Sequence, residues 1–320
     1  QREGRGFDPL CPLQFNVIKS KFITNFFQKY VGEKDIKYFK KRISYYLIFR
    51  IFRNFFANDL IIQIYDFKIF GSIKKNKTSY FLLKKCEFGD YHELKTIEKI
   101  SNNKKIILLD CGCNYGFYSL YAASLRKENL IISIEASKVT SLEFKRNLLL
   151  NKLPNITFLN KAVSNIDGIN ITFNESENDW ESSNVHKNFK SFTTTSVESV
   201  KIDTVLRSFD YSNYSCFIKL DIEGNEMKAI EGGLEFIKKA SPIIIIEFSR
   251  YIFDKKKNIQ FLENFLSKYD YSIYNTNNKK INIDDVMTQI KNLKERYKTI
   301  GNFYLIKNFS NKLKKFLTDE

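Results

Sequence analysis

Residues 105–121 read Lys-Ile-Ile-Leu-Leu-Asp-Cys-Gly-Cys-Asn-Tyr-Gly-Phe-Tyr-Ser-Leu-Tyr. The apolar run KIILLD (105–110) has the pattern of a parallel strand buried on both faces. It ends on Asp110, and a turn carrying Gly112 and Gly116 then leads into a helical segment near 117–126. Glycine lacks a Cβ, so at such a turn the backbone can approach a bound ligand closely. Strand, glycine turn and helix make one βα step.

The step repeats outward from there. LIISIE (130–135), NITFLN (155–160), CFIKLD (216–221) and PIIIIEF (242–248) read as further strands. Helical segments fall near 138–150, 226–239 and 257–268. A βαβ series predicts an α/β fold with a parallel, doubly wound sheet. YSIYN (271–275) and NFYLIKN (302–308), with a helical segment over 284–298 between them, would add an antiparallel end. The polar stretch 161–200 reads as a hairpin or an excursion over the edge of the sheet.

Upstream, LIIQIYDFKIF (60–70) and TSYFLLKK (78–85) read as strands joined by the turn-prone GSIKKNK, and a short helix comes next over 89–101. Residues 36–58 read as a basic amphipathic helix decorated by Lys40, Lys41, Arg42, Arg50 and Arg53. Residues 1–12 differ in composition from the rest of the chain and are set aside as non-native in character. The chain thus divides into an N-terminal extension, 1–58, and a domain over 59–320 that opens with a hairpin.

The 320 residues carry a formal net charge of +16, and half of that excess falls within residues 1–53. Such a patch attracts nucleic acid, an anionic membrane or an acidic glycan; packing of the helix on its own domain is the preferred alternative. No run of about 18 apolar residues marks a membrane span. Five scattered cysteines without a CxxC pair imply no disulfide framework and fit a reducing, cytoplasmic setting.

The chemistry concentrates at strand ends. Glu135 ends the second strand of the series, where an acid hydrogen-bonds the two ribose hydroxyls of a nucleoside. Asn114 breaks a GxGxxG pattern, and no GK[ST] is present, so there is neither a dinucleotide fingerprint nor a triphosphate cradle. Asp110 would repel a pyrophosphate but suits a ligand bearing an ammonium and a sulfonium. That favours S-adenosylmethionine (SAM) over NAD. The second cluster is Lys219-Leu-Asp221-Ile-Glu223-Gly224-Asn-Glu226, at the end of the fourth strand. Asp221 and Glu247 are candidates to orient or deprotonate a substrate hydroxyl. Glu226 would serve the start of the next helix. Asp221, Glu223 and Glu247 could instead share a divalent metal, although a metal-free site is preferred. Cys111 and Cys113 read as small loop fillers, His92 and Glu93 as a helix start, and His186 or Trp180 as less fixed candidates for base or sugar stacking.

Asp110-Cys-Gly-Cys-Asn-Tyr-Gly116, Glu135, Lys201-Ile-Asp203, IKLDIEGNE (218–226) and Pro242-Ile-Ile-Ile-Ile-Glu247 together resemble the FkbM family of SAM-dependent methyltransferases over roughly 88–308. The resemblance implies a class I methyltransferase fold, seven strands with the last antiparallel, and methyl transfer to oxygen. Carried over by position, Asp110, Gly112, Asn114, Gly116 and Glu135 would bind SAM, with Lys161 and Ala162 near the adenine. Cys113 replaces a residue that is often a small Ala in the family. The expected acceptor is a hydroxyl of a glycan, glycolipid or small molecule. The rivals are a nicotinamide oxidoreductase of similar topology, which lacks its glycine fingerprint here, and a non-enzymatic nucleic-acid-binding protein, which has no need of Asp110 and Glu135 at successive strand ends. No specific nucleic acid is expected as a partner, and residues 36–58 would provide any peripheral contact with an anionic membrane.

Overall fold

The computed structural model describes residues 16–17, 60–64, 66–71, 90–176, 192–293 and 299–308. The stretch 1–12, the basic helix expected over 36–58, the strand expected over 78–85, and Trp180 and His186 lie outside the described residues. Strands β1 (Asn16–Val17), β2 (Leu60–Ile64) and β3 (Phe67–Gly71) form a small antiparallel sheet. The run 60–70, expected as one strand, is therefore a hairpin that reverses at Asp66. Apolar residues on both sides of a very short turn conceal that break in the sequence, and only Asp66 hints at it.

The main body continues with α1 (Tyr91–Asn103), β4 (Ile106–Cys111), α2 (Phe117–Leu125), β5 (Leu130–Ile134), α3 (Lys138–Asn151) and β6 (Ile156–Leu159). The polar excursion holds β7 (Ala162–Val163), β8 (Asn170–Ser176) and β9 (Phe192–Val200), with β8 and β9 paired as an antiparallel hairpin. Then come α4 (Ile202–Leu206), β10 (Ser215–Leu220), α5 (Glu226–Glu231), α6 (Leu234–Ala240) and β11 (Ile243–Ser249). The helix expected over 226–239 is broken at Gly232-Gly233, since glycine is a poor helix former. The chain closes with α7 (Arg250–Phe253), α8 (Lys256–Tyr269), β12 (Tyr271–Asn275), β13 (Lys280–Ile281), α9 (Ile283–Lys291) and β14 (Thr299–Lys307).

Eight strands form the main sheet in the order β13-β12-β14-β11-β10-β4-β5-β6. From β6 to β11 all pairs are parallel. The last strand, β14, is antiparallel, and it inserts between β11 and β12 rather than standing at the edge. This is the class I methyltransferase arrangement. Strand order reverses between β4 and β10, because the chain builds outward from β4 through β6 and then returns to β4's other side. In such sheets the ligand crevice opens at the carboxyl ends beside that reversal.

Parity within each strand builds the core. Ile106 and Leu108 face one side, with Ile97 of α1 and Leu120 of α2. Ile107, Leu109 and Cys111 face the other, with Ile230 and Ile237. All of these side chains are buried, and each Ile or Leu among them stabilises the fold by roughly 1.5–3 kcal/mol relative to an exposed one. The N-terminal hairpin docks on α3 through side-chain amides. Phe70 N donates to Asn147 Oδ1 (2.7 Å), and Asn151 both accepts from Lys68 N and donates to Lys68 O, each at 2.6 Å. Two asparagines thereby act as a neighbouring strand would for the edge of β3.

Candidate active site

The loop after β4 is held by its own protein neighbours. Gly112 has φ +77, and a Cβ there would lie 1.9 Å from the carbonyl oxygen of Asp221. Gly116 has φ +88, and its Cβ would lie 1.9 Å from the Phe144 ring on α3. Each position combines a left-handed backbone with a contact that admits no side chain. The glycines thus let the β4 loop pack against the end of β10 and against α3, a reason internal to the protein. Asn114, between them, is also left-handed at φ 51. Its backbone N donates to Glu135 Oε2 (2.9 Å), while its Oδ1 is buried without a hydrogen-bond partner. Cys111 and Cys113 are buried, and desolvation first, then the nearby Asp110, pushes both thiols well above their ordinary range. They are inert fillers.

Asp110 lies beneath the loop. It is 2% exposed and accepts a hydrogen bond from Ser119 Oγ (2.6 Å), which in turn contacts Ser133 Oγ (2.7 Å). Burial raises its pKa to about 6, with Ser119 and Lys219 opposing the rise. Glu135 clasps two turns at once, accepting from Asn114 N through Oε2 and from Ser137 N through Oε1, both at 2.9 Å. Burial pushes it up to about 7, against those same N–H groups. A carboxylate has about four lone-pair sites, so acceptor capacity remains on each oxygen. Lys161 pairs with Glu198 of β9 at 2.5 Å, and Ala162 packs with Val197 and Ala136. This joins the β8–β9 hairpin to the end of β5, beside Glu135.

At the neighbouring strand end a lysine lies within the sheet. Lys219 pairs in register with Asp110 of β4 and Ile245 of β11 and is 2% exposed. Its Nζ donates to Asp221 Oδ2 (3.0 Å) and lies 5.3 Å from the centre of the Tyr118 ring. Burial alone would lower its pKa, but Asp221, Asp90 and Glu247 outweigh burial and raise it, so Lys219 stays charged. The Asp221 side chain is 40% exposed. It is therefore where this buried charge meets solvent. Glu247, beside it, is pushed well above the usual carboxylate range by burial and then by Asp221, with Lys219 opposing. Glu226 folds back on its own loop, where Oε1 accepts from Ile222 N (3.1 Å) and Gly224 N (3.2 Å). It holds the turn that leads into α5, in which Glu223 (φ 52) and Gly224 (φ 98) are left-handed.

The fold therefore brings Asp110, Gly112, Asn114, Gly116 and Glu135 together at the ends of β4 and β5, and Asp221 with Glu247 at the ends of β10 and β11. Several neighbours carried no sequence signal. Asp90 accepts from Asn302 Nδ2 (3.3 Å) of β14, and Glu93 is 3% exposed with its pKa raised to about 7 by burial and Asp90. Asn160 donates to Glu135 O (2.7 Å), Ala136 O (3.1 Å) and Ser141 Oγ (3.0 Å), stapling the end of β6 to β5. Asp203 accepts from Phe236 N (2.8 Å) and Glu235 N (3.2 Å) and so caps α6. His92 is exposed on α1. Among the described residues no three of His, Cys, Asp and Glu are grouped to hold a metal ion. Nor, among them, is any helix long and apolar enough to cross a membrane.

No curated protein matches the chain. Among solved structures, the FkbM methyltransferase of Methylobacillus flagellatus KT is similar at 20% identity and a TM-score of 0.38, over 71% of this chain and 52% of that one. The chain thus spans about half the length of that relative. The M. jannaschii protein TYW2, solved in complex with AdoMet, is similar at 14% identity and a TM-score of 0.41, over 78% of this chain and 84% of that one. Both likenesses are distant, and the assignment rests on the family comparison. The family model described as the methyltransferase FkbM domain matches residues 110–273, just over half of the 320. The chain belongs to the FkbM family of methyltransferases, enzymes that take their methyl group from SAM.

Proposed function

We propose that the protein is a SAM-dependent O-methyltransferase that acts on a hydroxyl of a glycan, glycolipid or related small molecule. The observation that carries this reading is the buried Lys219 paired with the half-exposed Asp221 at the carboxyl end of β10. A carboxylate held by a charged partner at the mouth of the crevice can accept a hydrogen bond from a hydroxyl.

The residues around the β4 loop fit the cofactor. Buried polar groups are normally satisfied within a protein, and Asn114 Oδ1 is not. It is an acceptor suited to an amino or hydroxyl group. Glu135, with lone pairs to spare, suits the ribose hydroxyls. Gly112 and Gly116 shape the loop, Asp110 supports it from below through Ser119, and Lys161 with Ala162 would border the adenine. SAM, when bound, supplies a methyl group made electrophilic by its sulfonium. Asp221 orients the acceptor hydroxyl and receives its proton as the oxygen bonds to the methyl carbon and the carbon–sulfur bond breaks. Glu247, which holds its proton to higher pH than an ordinary carboxyl, donates a hydrogen bond to the acceptor. Alignment of oxygen, methyl and sulfur supplies much of the rate in such a transfer.

The test is turnover with SAM across a panel of free sugars, methyl glycosides, glycolipid vesicles and phenols, with products analysed by mass and by the position of the new methyl group. A methyl ether is the expected product. Methylation at nitrogen or carbon, or none on any hydroxyl compound, would sink the proposal. A cytoplasmic enzyme with peripheral contact to an anionic membrane through residues 36–58 remains part of the same proposal.

A further inference from the structure

Lys219 is an expensive residue to place where it is. Its ammonium is 2% exposed, within a strand flanked on both sides by parallel neighbours. Taking an ammonium out of water costs several kcal/mol after relaxation, and a buried ion pair is often replaceable by an apolar side chain without loss of stability. The surrounding core is already apolar, with Leu108, Phe217, Ile245 and Tyr304 on the same face. A methionine would fill the space and would need no partners. Stability alone therefore gives no reason for a lysine here.

The geometry around Nζ gives one. The charge lies between acids on separate elements: Asp221 after β10, Asp90 before α1 and Glu247 on β11. Tyr118 of α2 places its ring beneath the ammonium. Asp90 is itself fixed by Asn302 of β14. Of the acids, Asp221 is in direct hydrogen-bond contact, and its side chain is 40% exposed. Asp221 also comes directly after the residue pair that closes the β10–β4 ladder, Leu220 and Cys111, and its backbone carbonyl is the atom that excludes a side chain from Gly112. A shift of Asp221 would therefore be felt in the cofactor loop as well.

We propose that Lys219 is a positioning residue: its buried ammonium, anchored from the far side by Asp90, fixes the Asp221 carboxylate where the acceptor hydroxyl must give up its proton. Lys219 touches neither acceptor nor cofactor; it acts through Asp221. The proposal rests on the role of Asp221 in the proposed O-methyl transfer. The hydroxyl proton passes to Asp221 and then to solvent, the oxygen gains the methyl group, and Lys219 keeps its three protons throughout.

The experiment compares Asp221→Asn, Lys219→Met and Asp90→Asn in the full chain, using the fastest acceptor from the panel of hydroxyl compounds. Lys219→Met is expected to keep SAM affinity within a few-fold and to melt at or above the wild-type temperature. Its kcat is expected to fall by about a hundredfold with KM little changed, because a misplacement of about 1 Å at a reacting group costs that much. Asp90→Asn is expected to lower kcat by a smaller factor, again at constant KM and SAM affinity. A crystal structure of Lys219→Met provides a readout that needs no acceptor, and it should show the Asp221 carboxylate displaced by about 1 Å or more. If Asp221→Asn turns over normally, the reading of Asp221 falls, whatever Lys219 does. If Asp221→Asn is slow but Lys219→Met keeps kcat within threefold, or Asp221 is undisplaced in its crystal structure, the role of Lys219 is rejected on its own. Should Lys219→Met fail to fold, Asp90→Asn decides: an unchanged kcat rejects the anchor.

Discussion

Glu135 carries two demands at once. It holds Asn114 N and Ser137 N, and in the proposed site it also receives the ribose hydroxyls. Removing the side chain would confuse these demands, so the informative change is Glu135→Gln, which keeps the size and one carbonyl acceptor. Titration calorimetry is expected to show SAM affinity weakened by about 1–2 kcal/mol, the worth of a charge-assisted hydrogen bond, with the melting temperature changed far less. Unaltered affinity in a folded Glu135→Gln protein would remove the ribose assignment. Gly112 makes the opposite case. Its side chain is excluded by Asp221 O at 1.9 Å and its φ is +77. Gly112→Ala is therefore expected to destabilise the protein itself by roughly 2–5 kcal/mol, the sum of a left-handed penalty and an overpacking penalty. Chemical denaturation without cofactor measures this, and a stable Gly112→Ala protein that merely loses SAM would return the glycine to a ligand-facing role.

Between elements, short polar side chains join pieces that hydrophobic pattern alone leaves unconnected. Asn147 of α3 is fully buried and takes Phe70 N at 2.7 Å while giving to Tyr115 O at 3.0 Å. One side chain thus ties the N-terminal hairpin, α3 and the β4 loop together. Asn147→Ala would leave a buried N–H and a carbonyl without partners, at about 1–3 kcal/mol for the group left unsatisfied. The expected result is a lower denaturation midpoint, together with faster amide exchange at Phe70 and in the 112–116 loop. Exchange confined to the hairpin would show that the link to the loop carries no energy.

For the whole molecule, the concentration of buried acids sets a pH dependence. Glu93, Glu135 and Glu226 are each raised to about 7 from an ordinary 4.5, and Asp110 to about 6 from 3.8, in every case chiefly by burial. A carboxyl with a raised folded-state pKa binds its proton more tightly in the native state, so it favours folding below the ordinary value and loses that contribution as pH rises through the folded one. Thermal stability without cofactor is therefore expected to decline between about pH 5 and pH 8, and a melting temperature that climbs over this window would contradict the burial. At the other end of the chain, residues 1–53 hold half of the net charge of +16. If 36–58 docks on anionic membrane, vesicles rich in phosphatidylserine should retain the protein at low salt and release it near the ionic strength at which the Debye length falls to about 10 Å. Replacing Lys40, Lys41 and Arg42 with Ser should abolish retention, and no binding at low salt would leave the helix as a packed cap. The sequence by itself determined the parallel strands, because burial on both faces demands unbroken runs such as Ile106–Cys111 and Ile243–Ser249. It also determined which strand ends carry the acids, since a strand's last residue is a local fact. Only the tertiary structure decided the hairpin within 60–70 and the insertion of β14 between β11 and β12, because pairing is a choice among strands that periodicity does not encode. The same holds for the gathering of Asp90, Tyr118, Lys219 and Asn302 around Asp221. Those residues are scattered along the chain, and their charges acquire meaning only where burial removes water from between them.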